Sequence, residues 1–183
     1  PFGFGLSYTS FEIDSLELSQ PSLAAGETLE VSARVRNAGS REGKEVLQLY
    51  VAPPAFTLFR PQKELKAFQK VELAPGESRM VHLRLEHGDF AYWNAAIHAW
   101  HCEAGEYRLM FGTSAADTPL EASVMVASDQ PEVSVPDYTQ SAPGYYAYGT
   151  GALNTSDAAF ESVYGSPLPL DPQYGTFRHF AVG

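Results

Sequence analysis

Three side chains able to bind a metal or act as nucleophile or base fall within a single five-residue stretch: His98, His101 and Cys102. A structural zinc ion needs three or four convergent nitrogen or sulfur ligands, and no second His/Cys cluster occurs in the chain to complete such a set. Cys102 as a nucleophile would need a base and a group to orient that base, and nothing in the sequence marks either. Carboxylates are plentiful, and glycoside chemistry uses two of them held ~5 to 10 Å apart across a sugar. Here each acidic pair falls at a turn or on the wet face of an expected strand, so no catalytic residue and no metal site is expected. Tyr92, Trp93 and Trp100 have the side chains that stack on sugar rings, and the same side chains serve as core or interface aromatics. No glycine-rich loop leads from a strand into a helix, so no nucleotide and no cofactor is implied. Asn154-Thr155-Ser156 fits the N-glycosylation triplet, a pattern common by chance.

These residues belong to a chain of 183 residues, 44% of them hydrophobic, enough for one domain with a real core plus an appendage. The formal net charge of −10 argues against nucleic acid or an anionic membrane as partner, since both select for Lys and Arg. Cys102 is the single cysteine, so the fold does not depend on an internal disulfide. That is compatible with a cytoplasmic location, which is the one favoured. No apolar run reaches the ~18 residues of a membrane-spanning helix. The chain opens on Pro1-Phe2-Gly3-Phe4-Gly5-Leu6 without an initiator Met and reads as part of a longer protein.

The elements that position these side chains are strands. Residues 1–10 form a glycine-punctuated aromatic linker, with Phe2, Phe4 and Tyr8 expected to anchor it by packing. Phe11, Ile13, Leu16 and Leu18 mark a first strand. Leu29, Val31, Ala33 and Val35 alternate with Glu30, Ser32, Arg34 and Arg36, the cleanest period-two pattern in the chain. Lys44 to Val51 is an aliphatic run short enough for a strand buried on both faces. Val81 to Leu85, Tyr107 to Phe111 and Leu120 to Val126 alternate in the same way. Three turns are spelled alike: Ala25-Gly26-Glu27, Pro75-Gly76-Glu77 and Ala104-Gly105-Glu106, each glycine expected at positive φ. Six or seven short strands with no helical period before residue 150 predict an all-β antiparallel β-sandwich over residues 11–127. Residues 128–183 lose the period and read as an extended, mostly irregular C-terminal arm rich in tyrosine. One short helix is expected near 156–164, capped by Thr155 or Ser156 and stopped by Gly165, with Phe160, Val163 and Tyr164 as its apolar face.

Several blocks together carry a resemblance. Pro1-Phe2-Gly3-Phe4-Gly5-Leu6-Ser7-Tyr8-Thr9 resembles the signature leading into the C-terminal fibronectin type III-like domain of family three glycoside hydrolases. Gly43-Lys44-Glu45-Val46-Leu47-Gln48-Leu49-Tyr50-Val51 is similar to the next block. Arg60-Pro61-Gln62-Lys63-Glu64-Leu65-Lys66-Ala67-Phe68-Gln69-Lys70-Val71 is similar to the third, with Ala67 where glycine is usual. Leu73-Ala74-Pro75-Gly76-Glu77-Ser78 and Glu103-Ala104-Gly105-Glu106-Tyr107 match later turns. Phe160 to Pro169 resembles a segment that follows this domain in a bacterial subset of the family. The resemblance implies a fibronectin type III/immunoglobulin-like sandwich from a β-glucosidase-like enzyme that hydrolyses terminal β-linked sugars with retention. In that family the nucleophilic aspartate and the acid/base lie in domains upstream of this one, and neither motif is present here.

The expected role is therefore a non-catalytic accessory domain that packs against the upstream catalytic domains of the same polypeptide. The contact residues expected are Phe2, Phe4, Tyr8, Phe59, Arg60 and Lys63, with the Phe56-Leu58-Phe59 loop exposed toward the partner. Arg60 is the expected polar anchor, because a guanidinium pairs with a carboxylate through two hydrogen bonds. A solvated Arg60 to Lys70 edge that blocks strand-to-strand aggregation is the competing reading. The alternative function is a module that binds oligosaccharide or another protein.

Overall fold

The alternating run from Leu29 to Val35 forms the centre of the smaller of two facing sheets. The computed structural model describes residues 1–54, 58–147 and 155–168. In the smaller sheet β3 (Thr28–Asn37) is flanked antiparallel by β1 (Phe11–Leu18) and β6 (Ser78–Glu86). The larger sheet runs β2 (Ser22–Leu23), β10 (Leu120–Val126), β9 (Gly105–Gly112), β4 (Gly43–Ala52), β5 (Glu64–Leu73). Its pairs are antiparallel except the short β2–β10 edge, which is parallel. A separate hairpin is formed by β7 (Tyr92–Asn94) and β8 (Ala99–His101). Val31, Val35 and Leu85 from one sheet meet Leu49, Leu109 and Phe111 from the other in a single core. Each fully buried side chain of this kind contributes roughly 1.5 to 3 kcal/mol. The expected all-β sandwich is thus the fold, and the described residues of the arm that follows hold one α-helix.

In β1 the apolar residues are spaced 11, 13, 16, 18, one residue out of a strict period of two. A bulge between Asp14 and Glu17 absorbs the extra residue, with Ser15 at φ 58°. All four apolar side chains then reach the same core. β4 is buried on both faces only from Leu47 to Ala52; its start, Gly43 to Val46, is partly or fully open.

Asn37 ends β3 and is fully buried, and its amide ties four segments together. Oδ1 accepts from Thr9 Oγ1 (2.7 Å) and Gly39 N (3.0 Å), and Nδ2 donates to Arg41 O (2.7 Å) and Leu73 O (2.9 Å). The expected Asn37-Ala38-Gly39 turn is there, and its first residue is a core hydrogen-bonding hub.

Two of the three like-spelled turns behave alike. Gly26 and Gly76 take φ 82° and 77°, and the following Glu27 and Glu77 accept from Ala24 N and Ala74 N at 2.9 Å each. The third differs. Gly105 is also at positive φ, but at 156°, and it begins β9. Glycine is needed there for space as well as conformation: a Cβ would stand 2.8 Å from Pro54 Cβ.

The helix α1 (Asp157–Tyr164) starts at Ser156, whose side chain accepts from Ala159 N, and ends at Gly165 with φ 81°. Its buried face is not the expected one. Ala159 is the buried residue and Val163 packs partly, whereas Phe160 and Tyr164 are exposed and stack on each other at 5.4 Å. The small side chain faces inward because α1 lies close against Ala142 and Tyr145 of the arm's own 3-10 turn, Pro143–Tyr146. Gly165 also lies against the hairpin, where a Cβ would stand 2.8 Å from Ala95 Cβ. The described part of the arm therefore folds back on its own sandwich. Phe56, Tyr148, Asn154 and Pro169 lie outside the described residues.

Candidate functional site

The linker is held by its backbone. Ala115 N donates to Phe2 O at 2.9 Å, and the buried Gln48 side chain reaches Gly3 O at 3.4 Å and Thr113 O. Gly3 has φ 77° and sits so close to Gln48 that a Cβ would stand 2.7 Å from Cδ, so conformation and space both require glycine. The rings do not anchor it, contrary to expectation. Phe2, Phe4 and Tyr8 are 68%, 63% and 92% exposed, because the backbone bonds turn them outward. Beside Phe2, β5 presents Phe68, also exposed, and an open apolar groove of about 250 Å³ runs between Phe2, Val46, Leu65 and Phe68. A contiguous apolar surface on an otherwise acidic chain is the usual mark of an interaction site.

The other predicted contact residues have partners within the chain. Lys63 Nζ lies 5.2 Å from the centre of the Tyr50 ring and donates to Thr118 Oγ1 at 3.3 Å. Leu58 is buried, not exposed, because the arm covers it. Phe59 meets Tyr145 edge-on at 4.7 Å. Arg60 stacks over Tyr92 with its guanidinium carbon 5.5 Å from the ring centre. Its Nε is buried and has no hydrogen-bond partner, alone in this among the described side chains.

Around Arg60 lies a polar group of residues that sequence reasoning missed. Burial pushes the Tyr92 hydroxyl up to about 12, the Glu103 carboxylate adding to the shift and Arg60 opposing it. Burial also raises Tyr107 and the Glu103 carboxyl, and Arg60 opposes the shift in both. Glu103 is thus the partly buried acidic residue not expected from its place in a turn. The signal available was its position beside Cys102, ahead of a strand whose first inward residue is Tyr107. A second carboxylate lies near by: Asp129 Oδ1 accepts from Cys102 N at 3.2 Å.

His101 and Cys102 are buried, His98 sits in the exposed hairpin turn at φ 50°, and no three potential metal ligands converge among the described residues. Tyr92 Oη and His101 Nδ1 are hydrogen bonded at 3.1 Å, and Asn94 Nδ2 donates to Tyr92 Oη at 3.4 Å. The Cys102 thiol is pushed up to about 11 by burial, with the Asp129 carboxylate adding to the shift. A thiol so held carries almost no thiolate near neutrality. Cys102 is therefore expected to stay unmodified by Ellman's reagent at pH 8 in the native chain and to react stoichiometrically in guanidinium chloride. Native reactivity would mean the Cys102 pocket opens readily. Because the folded thiol is raised above its ordinary value, its stabilising contribution holds below that value and is lost as pH climbs toward about 11.

On the outer face of the hairpin Trp93 and Trp100 are cross-strand partners. They meet edge to face at 5.9 Å and are 53% and 64% exposed.

A family profile for the fibronectin type III-like domain matches residues 45–115. Thermostable β-glucosidase B of Acetivibrio thermocellus is 43% identical over 128 residues, which is 70% of this chain and 17% of that protein. The exo-α-(1→6)-L-arabinopyranosidase of Bifidobacterium breve is 40% identical over 129 residues, again 70% of this chain and 17% of the relative. Among solved structures, the GH3 β-glucosidase of Bifidobacterium adolescentis superposes with a TM-score of 0.67 at 39% identity, covering 74% of this chain and 20% of that one. The β-glucosidase of Listeria innocua in complex with glucose gives 0.64 at 37% identity, covering 69% and 17%. The chain thus corresponds to a fifth or less of the length of these relatives. With the profile on the sandwich and the matches confined to the C-terminal part of much longer proteins, this chain belongs to the fibronectin type III-like domains of family three glycoside hydrolases.

Proposed function

We propose that this chain is the non-catalytic accessory domain of a β-glucosidase-like glycoside hydrolase, packing on and stabilising the catalytic domains of the same polypeptide. Those domains hydrolyse terminal β-linked glucosyl or related residues. The observation that carries this is the linker face: Phe2, Phe4 and Tyr8 project outward from a backbone fixed to the sandwich, next to Phe68 and its groove. Residues 1–10 act as the interdomain linker, 11–127 as the sandwich and 128–183 as an arm. Phe59, Arg60 and Lys63 have partners within the chain and leave the contact to the linker side. The substrate names of the relatives support a role outside substrate choice. A β-glucosidase and an arabinopyranosidase match this stretch at 43% and 40% identity.

The test compares two contexts. In the parent polypeptide Phe68→Asp and Phe4→Asp should each destabilise by about 1.5 to 3 kcal/mol, the effect of losing one buried Phe. In the 183-residue chain the same substitutions should stay within about 0.5 kcal/mol, since the rings are exposed. Equal, small effects in both contexts would sink the proposal. The chain by itself should show no turnover of an aryl β-glucoside.

A further inference from the structure

We infer that the β7–β8 hairpin and the cavity behind it form a binding site for a neutral β-linked oligosaccharide, separate from the linker face. The choice of a glucosyl ligand rests on the accessory-domain reading; the site itself does not. The cavity has a volume of about 170 Å³ and lies between the hairpin, the Leu58–Arg60 segment and the arm. Trp93, Phe59 and Tyr138 supply aromatic wall, and Arg60 supplies a polar group. That volume suits one sugar ring and is below the range that holds drug-sized ligands.

Sugar rings present a flat C–H face to an aromatic ring and a rim of hydroxyls to polar groups. Trp93 belongs both to the cavity lining and to the exposed indole pair, so Trp100, set edge to face against it, is the aromatic surface next to the cavity. The platform is rigid. Tyr92, Asn94 and His101 are bonded beneath it, His101 Nε2 is bonded to Ser128 Oγ at 3.3 Å, and Gly165 packs on Ala95 behind it. Rigid aromatics cost little entropy on binding. The charge selects the ligand class. Arg60 is offset by Glu103 and the chain carries −10, so an acidic glycan is disfavoured and a neutral one is not.

The site is also free of the linker contact. Phe2 is tied near the Gly112 end of β9, through Gln48 and Ala115, whereas the hairpin leads into its Gly105 end. Eight strand residues separate the two ends by roughly 23 Å.

Trp93 and Trp100 are the chain's two tryptophans, so intrinsic fluorescence reports on this site alone. Titrating the chain with cellotetraose and laminaritetraose should change the emission saturably at millimolar concentration, while tetragalacturonate should not. Trp93→Ala, followed by calorimetry, should weaken binding about tenfold or more with the melting temperature unchanged, because the side chain is half exposed. Phe68→Asp should leave binding intact. A flat titration with both neutral oligosaccharides overturns the inference, as does binding that survives Trp93→Ala. Loss of parent stability on Trp93→Ala without any glycan binding would assign the hairpin to a domain contact instead. Failure of the linker-face test would leave this result standing, since the two sets of variants do not overlap.

Discussion

Gly112→Ala is expected to destabilise the chain by about 3 kcal/mol or more, a large share of the 5 to 15 kcal/mol of an ordinary domain. The reason is space, not backbone conformation. A Cβ at residue 112 would overlap the Asp117 carbonyl and stand 2.6 Å from Thr118 Cα. Both obstacles are backbone and neither can swing away. The turn they belong to is tightly bonded: Thr113 N and Ser114 N donate to Asp117 O, and Thr113 Oγ1 donates to Asp117 Oδ2 at 2.6 Å. The same turn holds the linker through Ala115 N and Phe2 O, and Gln48 reaches its Thr113 carbonyl. The substitution should therefore loosen the linker as well as lower the midpoint of urea unfolding. Faster amide exchange at Ala115 would report the first effect and circular dichroism the second. An unfolding midpoint within error of the natural chain would mean that the loop after β9 can shift at little cost.

Asn37→Ala should cost about 3 to 4 kcal/mol. The carboxamide is fully buried and satisfied on both sides, and its removal strands Leu73 O and Arg41 O without a donor and Gly39 N without an acceptor. Each buried group left unpaired costs roughly 1 to 3 kcal/mol. Asn37→Asp is the sharper variant. Its carboxylate can still accept from Thr9 and Gly39 but faces two carbonyl oxygens where the amide donated. It should be at least as destabilising near neutral pH and should recover partly in acid, when the carboxyl can donate. Thermal unfolding of both variants across pH measures this. A neutral-pH loss below about 1 kcal/mol for Asn37→Ala would show that water replaces the amide.

Much of the fold was legible because a strand repeats every two residues. In β3 the alternation of Leu29, Val31, Ala33 and Val35 with charged or polar neighbours allows only one pairing face. The bulge in β1 was written in the spacing of Phe11, Ile13, Leu16 and Leu18, since keeping all four inside requires one residue to be looped out. The cap and stop of α1 were equally local, a serine side chain at the N-terminus and a glycine at positive φ at the other end. Gly26 and Gly76 followed the same logic, whereas Gly105 shared their spelling and positive φ but answered also to Pro54, about 50 residues earlier.

The candidate sites were less legible for the same reason. Whether Leu58, Phe59 and Arg60 face outward depends on an arm some 80 residues later in the chain, and no local pattern reports what will cover a loop. Phe160 and Tyr164 looked like a docking face by helical spacing, yet close approach of two segments selected Ala159. The linker rings were expected to pack and instead project outward, because Gln48 and Ala115 claim the linker backbone. By itself the sequence determined six of the ten strands in the described residues, their inward faces, the turns that join most of them and the ends of the helix, all consequences of short-range stereochemistry and the periodicity of burial. Only the tertiary structure decided that Arg60 is enclosed with Glu103 and Tyr92, that the arm returns to its own sandwich, and that two tryptophans stand in the open beside a cavity. Those are contacts between residues far apart in sequence, set by which surfaces meet when the sheets close.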